Sequence, residues 1–149
     1  MSGFVLRTGE DIWDNDTGIV LIPVNCEGVM GLGLAKDCKE KYPDVYKDYR
    51  ALCKSGKFIL GTMKLYLIRD DYAILLIPTK YKWRNASKLE WVERVLEKLG
   101  DCIPRSPMDS FHVPPIGWGA GGLNIDTVRP MVEKYLCHDN VTINFYQPN

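Results

Sequence analysis

The sequence has no C-x-x-C pair, only two histidines (His112 and His138) and no net charge, with nineteen basic residues against nineteen acidic ones. Two distant histidines without paired cysteines make a zinc site improbable, so no metal is expected, and each histidine is read as a surface or satisfied structural residue. Charge balance removes the whole-domain electrostatic argument for nucleic-acid binding and leaves only local patches open. No apolar run approaches the ~20 residues that cross a bilayer, and the N-terminus shows no secretory pattern. No membrane association is expected. The five cysteines (Cys26, Cys38, Cys53, Cys102 and Cys137) are an odd number, which suits a reducing cytoplasmic compartment. Linkers, internal repeats and low-complexity tracts are also missing, so residues 1–149 are expected to form a single domain with one core.

What is present alternates. Strand patterns occur at Phe4–Arg7, Ile19–Val24, Leu65–Arg69, Tyr72–Pro78, Phe111–Pro114 and Val141–Tyr146. Asp70-Asp71 reads as a tight hairpin turn. Helical segments Leu34–Tyr42 and Asp44–Lys54 are separated by Pro43. Ser87-x-x-Glu90 has the form of a capping box before a helix with Leu89, Val92, Leu96 and Leu99 on one face. Val128, Met131, Val132, Tyr135 and Leu136 mark a last helix, with Pro130 expected in its first turn. I-V-L-I-P-V and A-I-L-L-I are apolar throughout, as central strands covered on both faces are. The pattern predicts a three-layer α/β domain with a mixed sheet, whose ligand site lies beyond the carboxyl ends of the strands.

Two glycine-rich stretches stand at such strand ends. The first, V-N-C-E-G-V-M-G-L-G-L-A-K, carries Gly28, Gly31 and Gly33; the second, I-G-W-G-A-G-G-L-N, carries Gly117, Gly119, Gly121 and Gly122. Backbone amides of these loops can line an anion-binding concavity, and the helix after each adds its positive end. Gly28 and Gly33 have Walker spacing, but Leu34 and Ala35 stand where Lys and Ser/Thr are required, and Lys36 breaks a dinucleotide fingerprint. One glycine loop alone reads as a turn. Two facing loops suit a diphosphate, and therefore a nucleotide.

Polar groups flank these loops, each with two readings. Asn25 can bind a sugar hydroxyl or stabilise its own turn. Asp11 can accept from an adenine amino group or cap a turn. Lys80, after Pro78-Thr79, is either a solvated charge or a catalytic amine at the rim. The run Lys80–Lys88 mixes four cations with Tyr81 and Trp83, which suits a nucleic-acid strand or an ordinary exposed loop. Trp118 can wall a ribose pocket or pack as core. Cys26 is read as a buried, inert thiol rather than a reactive one.

Together G-E-D-I (from Gly9), the first glycine loop and P-P-I-G-W-G-A-G-G-L-N resemble a macrodomain, the ADP-ribose-binding α/β/α module. The resemblance covers nearly the whole chain. V-N-x-x-G-V-M-G-x-G-L-A and P-T-K-x-x-W-R-x-x-S look like the branch containing the terminal ADP-ribose glycohydrolase and the DarG-like enzymes. That likeness implies adenine contact by Asp11 and a distal ribose at Asn25. It implies diphosphate binding by Gly28, Val29, Met30, Gly31 and Gly33 and by Gly117, Trp118, Gly119, Ala120, Gly121 and Gly122, further ADP-ribose contacts by Ile12, Thr79 and Leu123, and a catalytic Lys80. Glu10 is inserted relative to the common G-D-I, so either acid is a candidate for adenine. The catalytic Asp of the terminal glycohydrolase falls on Gly121. The resemblance implies an ADP-ribosylhydrolase acting on a modified nucleobase or acidic side chain without cofactor. ADP-ribose 1″-phosphate phosphatase and a non-catalytic reader are the alternatives. ADP-ribose or ADP-ribosylated DNA or protein is the expected partner, and the chain is taken as a monomer.

Overall fold

The computed structural model describes residues 3–118 and 121–149. In chain order the elements are β1 (Gly3–Thr8), β2 (Gly18–Asn25), α1 (Gly33–Lys41), α2 (Pro43–Lys54), β3 (Lys64–Arg69) and β4 (Tyr72–Lys80). They continue with α3 (Leu89–Cys102), β5 (Ser110–Val113), α4 (Ile125–Leu136) and β6 (Thr142–Gln147). The strands form one sheet in the order β1-β6-β5-β2-β4-β3. All neighbours are parallel except β3 and β4, which pair antiparallel across Asp70-Asp71. This is the expected mixed sheet. It arises because a two-residue link can only reverse the chain, whereas parallel neighbours need a crossover.

The all-apolar strands sort their side chains by alternation. Ile19 and Leu21 of β2, with Ala73, Leu75 and Ile77 of β4, face α3 and α4, where Val92, Leu96, Val128 and Val132 meet them. Val20 and Ile22, with Ile74 and Leu76, face α1 and α2, against Cys38, Val45 and Tyr49. Full burial of side chains this size stabilises each by ~1.5–3 kcal/mol, so the sheet is held between two helical layers. Among the described residues no helix is long and apolar enough to cross a membrane.

Pro43 opens α2 one residue after Tyr42, as the sequence implies. Two local expectations are corrected. Pro130 lies in the interior of α4, not in its first turn. The helix starts earlier because the Asn124 side chain accepts the Asp126 N–H at 2.8 Å. Pro130 is exposed, and so is Asp126, whose carbonyl loses its intrahelical donor to the proline. Ser87 does not cap α3 either. Lys88 occupies that position without a side-chain cap, and Ser87 is buried, its N–H donating to Gly121 O at 2.9 Å. The second glycine loop has taken the residue the helix was expected to use.

Candidate functional site

Because β2, β4 and β5 run parallel, their carboxyl ends lie side by side. β2 ends at Asn25, β4 at Lys80, and β5 leads into Pro114-Pro115 and the second loop. The pairing shifts between Val24 and Asn25: Val24 lies opposite Pro78, whereas Asn25 lies opposite Lys80. The extra residue, Thr79, is a bulge that brings Lys80 level with the sugar-binding candidate. Above these ends is a cavity of about 730 Å³, within the usual range for a small-molecule site.

The cavity collects both loops. Asn25, Val29, Gly31, Gly33, Thr79, Lys80, Gly117, Trp118 and Gly121 all line it. Among its described lining residues Lys80 is the one charged side chain, and burial pulls its ammonium below the ordinary lysine pKa. Its Nζ donates to the main-chain O of Trp83 at 3.1 Å. Trp118 is 48% exposed, so it walls the cavity and is not core.

Other predicted residues lie off the lining. Asp11 caps the 3-10 turn at Ile12–Asp14, its Oδ1 accepting the Trp13 N–H at 2.9 Å, while Ile12 is core. Glu10 lies 3.9 Å from Arg7 in an exposed ion pair. Met30 is buried beneath the first loop. Gly28 holds φ +86°, and a Cβ there would come within 3.3 Å of the Arg50 Cα, so it seats the loop on α2. Leu123 donates its N–H to Gly117 O at 2.7 Å and closes the second loop, beside Gly122. Gly119 and Ala120 lie outside the described residues.

Asn25 is used by its own loop. Its Oδ1 accepts the N–H groups of Glu27 and Val29 at 3.0 and 3.3 Å, and its Nδ2 donates to Val29 O at 2.8 Å. The Tyr49 hydroxyl lies 2.9 Å from the same Oδ1. Among the described residues the second Nδ2 hydrogen has no acceptor. Cys26 is part-buried rather than buried as expected; desolvation, with Cys53 nearby, pushes its thiol up to about 11, which fits the inert reading.

Sequence reasoning missed Glu27, Trp83 and Ser87. Trp83 and Ser87 line the cavity, and Glu27 Oε1 accepts the Trp83 N–H at 2.9 Å. Trp83 and Ser87 carry a signal, since both stand in the motif P-T-K-x-x-W-R-x-x-S, but in sequence they read as a nucleic-acid contact and a helix cap; Glu27 has only its place inside the first loop.

No family model matches the chain. It is 35% identical over 145 residues to a DNA ADP-ribosyl glycohydrolase of Mycobacterium tuberculosis, covering 93% of this chain and 41% of that protein. The chain therefore spans about two fifths of the length of the curated relatives it matches. The macrodomain of Mycobacterium tuberculosis DarG superposes with TM-score 0.88 at 30% identity, over 100% of both chains. Thermosipho africanus DarTG in complex with ADP-ribose gives TM-score 0.84 at 30% identity, over 95% of this chain and 41% of that one. In sequence, sheet order and the two loops at the strand ends, this chain belongs to the macrodomain family, beside the macrodomains of DarG.

Proposed function

We propose that residues 1–149 form one ADP-ribose-binding unit that hydrolyses the bond between ADP-ribose and a nucleobase of DNA, with Lys80 acting at the anomeric carbon. The observation that carries this reading is the cavity itself, built from two glycine loops with Lys80 as its one described charge. Loop amides and the α1 N-terminus favour a diphosphate, and the second Nδ2 hydrogen of Asn25 favours the distal ribose. The names of the relatives, DNA ADP-ribosyl glycohydrolases, support the nucleobase linkage over an acidic side chain.

Hydrolysis adds water across the glycosidic bond: hydroxyl to the anomeric carbon, proton to the departing base. Burial eases Lys80 toward the neutral amine, the form that attacks the anomeric carbon as the base leaves with the proton the amine sheds; water then displaces the lysine from that carbon. Exposed Tyr81 and Trp83 beside the cavity mouth, with Arg84 4.9 Å over the Trp83 ring, offer a strand of DNA stacking and charge through Lys80–Lys88. Five free thiols suit a reducing cytoplasm, and we treat the chain as a monomer.

Incubation with an ADP-ribosylated oligonucleotide is expected to release ADP-ribose; a glutamate-linked protein substrate serves as comparison. No release from either substrate sinks the hydrolase reading. A reader is the second reading, because Gly121 supplies no acid. It predicts ADP-ribose binding by calorimetry with no turnover of any conjugate. Without a histidine or acid among the described lining residues, phosphate release from ADP-ribose 1″-phosphate is not expected.

A further inference from the structure

We propose that Glu27 is a positioning residue for Lys80, acting through the main chain of Trp83. The inference rests on the reaction just proposed for Lys80. One residue is gripped on both sides: Glu27 Oε1 accepts the Trp83 N–H at 2.9 Å, and the Trp83 carbonyl accepts from Lys80 Nζ at 3.1 Å. Immediately before Glu27, Cys26 N–H donates to Tyr81 O at 2.9 Å, so the first glycine loop is zipped to the segment that follows β4.

Peptide planarity makes the link short. With the N–H of Trp83 held, only the two torsions at its Cα separate the clamp from the carbonyl that receives the lysine. The indole does not anchor this residue by burial, since Trp83 is 41% exposed. The bond from a carboxylate is charge-assisted and stronger than a neutral one. Glu27 thereby sets where the amine of Lys80 stands over the cavity, without entering the cavity itself.

Two variants test this: Glu27→Ala, which removes the acceptor, and Glu27→Gln, whose amide oxygen still accepts the N–H. Three quantities are measured. These are kcat and KM on an ADP-ribosylated oligonucleotide, the calorimetric Kd for ADP-ribose, and the acetylation rate of Lys80 by acetic anhydride, read by peptide mass spectrometry. Glu27→Ala is expected to lower kcat roughly 10- to 100-fold, with KM and Kd within about twofold, as misplacement of a reacting group does. It also raises Lys80 acetylation severalfold, and Glu27→Gln restores both. The proposal is overturned by a Glu27→Ala variant unchanged in kcat and acetylation. It is equally overturned if Glu27→Gln is as damaged as Glu27→Ala, or if ADP-ribose affinity falls in step with kcat. Should the unmodified protein release no ADP-ribose, the hydrolase reading fails separately. The acetylation series then decides the positioning role alone.

Discussion

The Tyr49 hydroxyl, carried on α2, lies 2.9 Å from Oδ1 and 2.7 Å from the main-chain O of Asn25. A helix beneath the sheet therefore reaches through the core to the residue at the centre of the candidate site. Tyr49 is fully buried, and its single hydroxyl proton is shared between these two oxygens of Asn25. Tyr49→Phe removes the one donor that the main-chain O and Oδ1 of Asn25 share. The expected cost is ~1–3 kcal/mol of stability, read from urea unfolding, with weaker ADP-ribose binding as the first loop loosens.

Lys80→Ala is expected to lower ADP-ribose release on the order of 100-fold or more while calorimetry still detects ADP-ribose. An undiminished rate would remove Lys80 from the mechanism. The neutral fraction grows as pH rises, and because burial lowers the pKa the ascending limb of the rate lies below the ordinary lysine value of 10.5. A rate that falls with rising pH would assign the charged form instead.

Ser87 and Gly121 are expected to be coupled. The Ser87 hydroxyl is buried with no hydrogen-bond partner among the described residues, and a Cβ on Gly121 would stand 2.9 Å from it. Ser87→Ala removes an unsatisfied polar group and leaves stability unchanged or higher by ~1 kcal/mol. Gly121→Ala destabilises, and less so when Ser87 is already alanine, with coupling above ~0.5 kcal/mol in a double-mutant cycle. Strict additivity would show that the hydroxyl does not exclude the side chain.

His112 makes stability depend on pH. It lies buried, Nε2 2.9 Å from Thr17 O and Nδ1 3.0 Å from the Tyr146 hydroxyl, an arrangement that suits the neutral ring with its proton on Nε2. Burial depresses its pKa, Arg7 adds repulsion, and the Thr17 carbonyl opposes both. A depressed histidine is protonated more readily unfolded than folded. Its contribution is therefore complete above the unfolded value near 6.5 and is lost as pH falls through the lower folded value. Urea midpoints measured from pH 7.5 to 5 should decline, and His112→Gln should flatten the decline. An equal slope in that variant would assign the effect elsewhere.

By itself the sequence determined the layers and the edge of the sheet where the cavity opens. Continuous apolar strands such as Ile19–Val24 can only be central, and an Asp-Asp link can only reverse the chain. Glycines following such strands must lie at the ligand-binding edge of the sheet, and Lys80 must share that edge. These inferences held because each rests on neighbours in sequence. Polar side chains were decided by tertiary structure. Asn25 bonds its own loop and a tyrosine 24 residues away, Glu27 bonds a residue 56 away, and Ser87 leaves its cap for the second loop. Hydrogen-bonding groups take whichever partner folding brings within about 3 Å, and local sequence does not encode that distance.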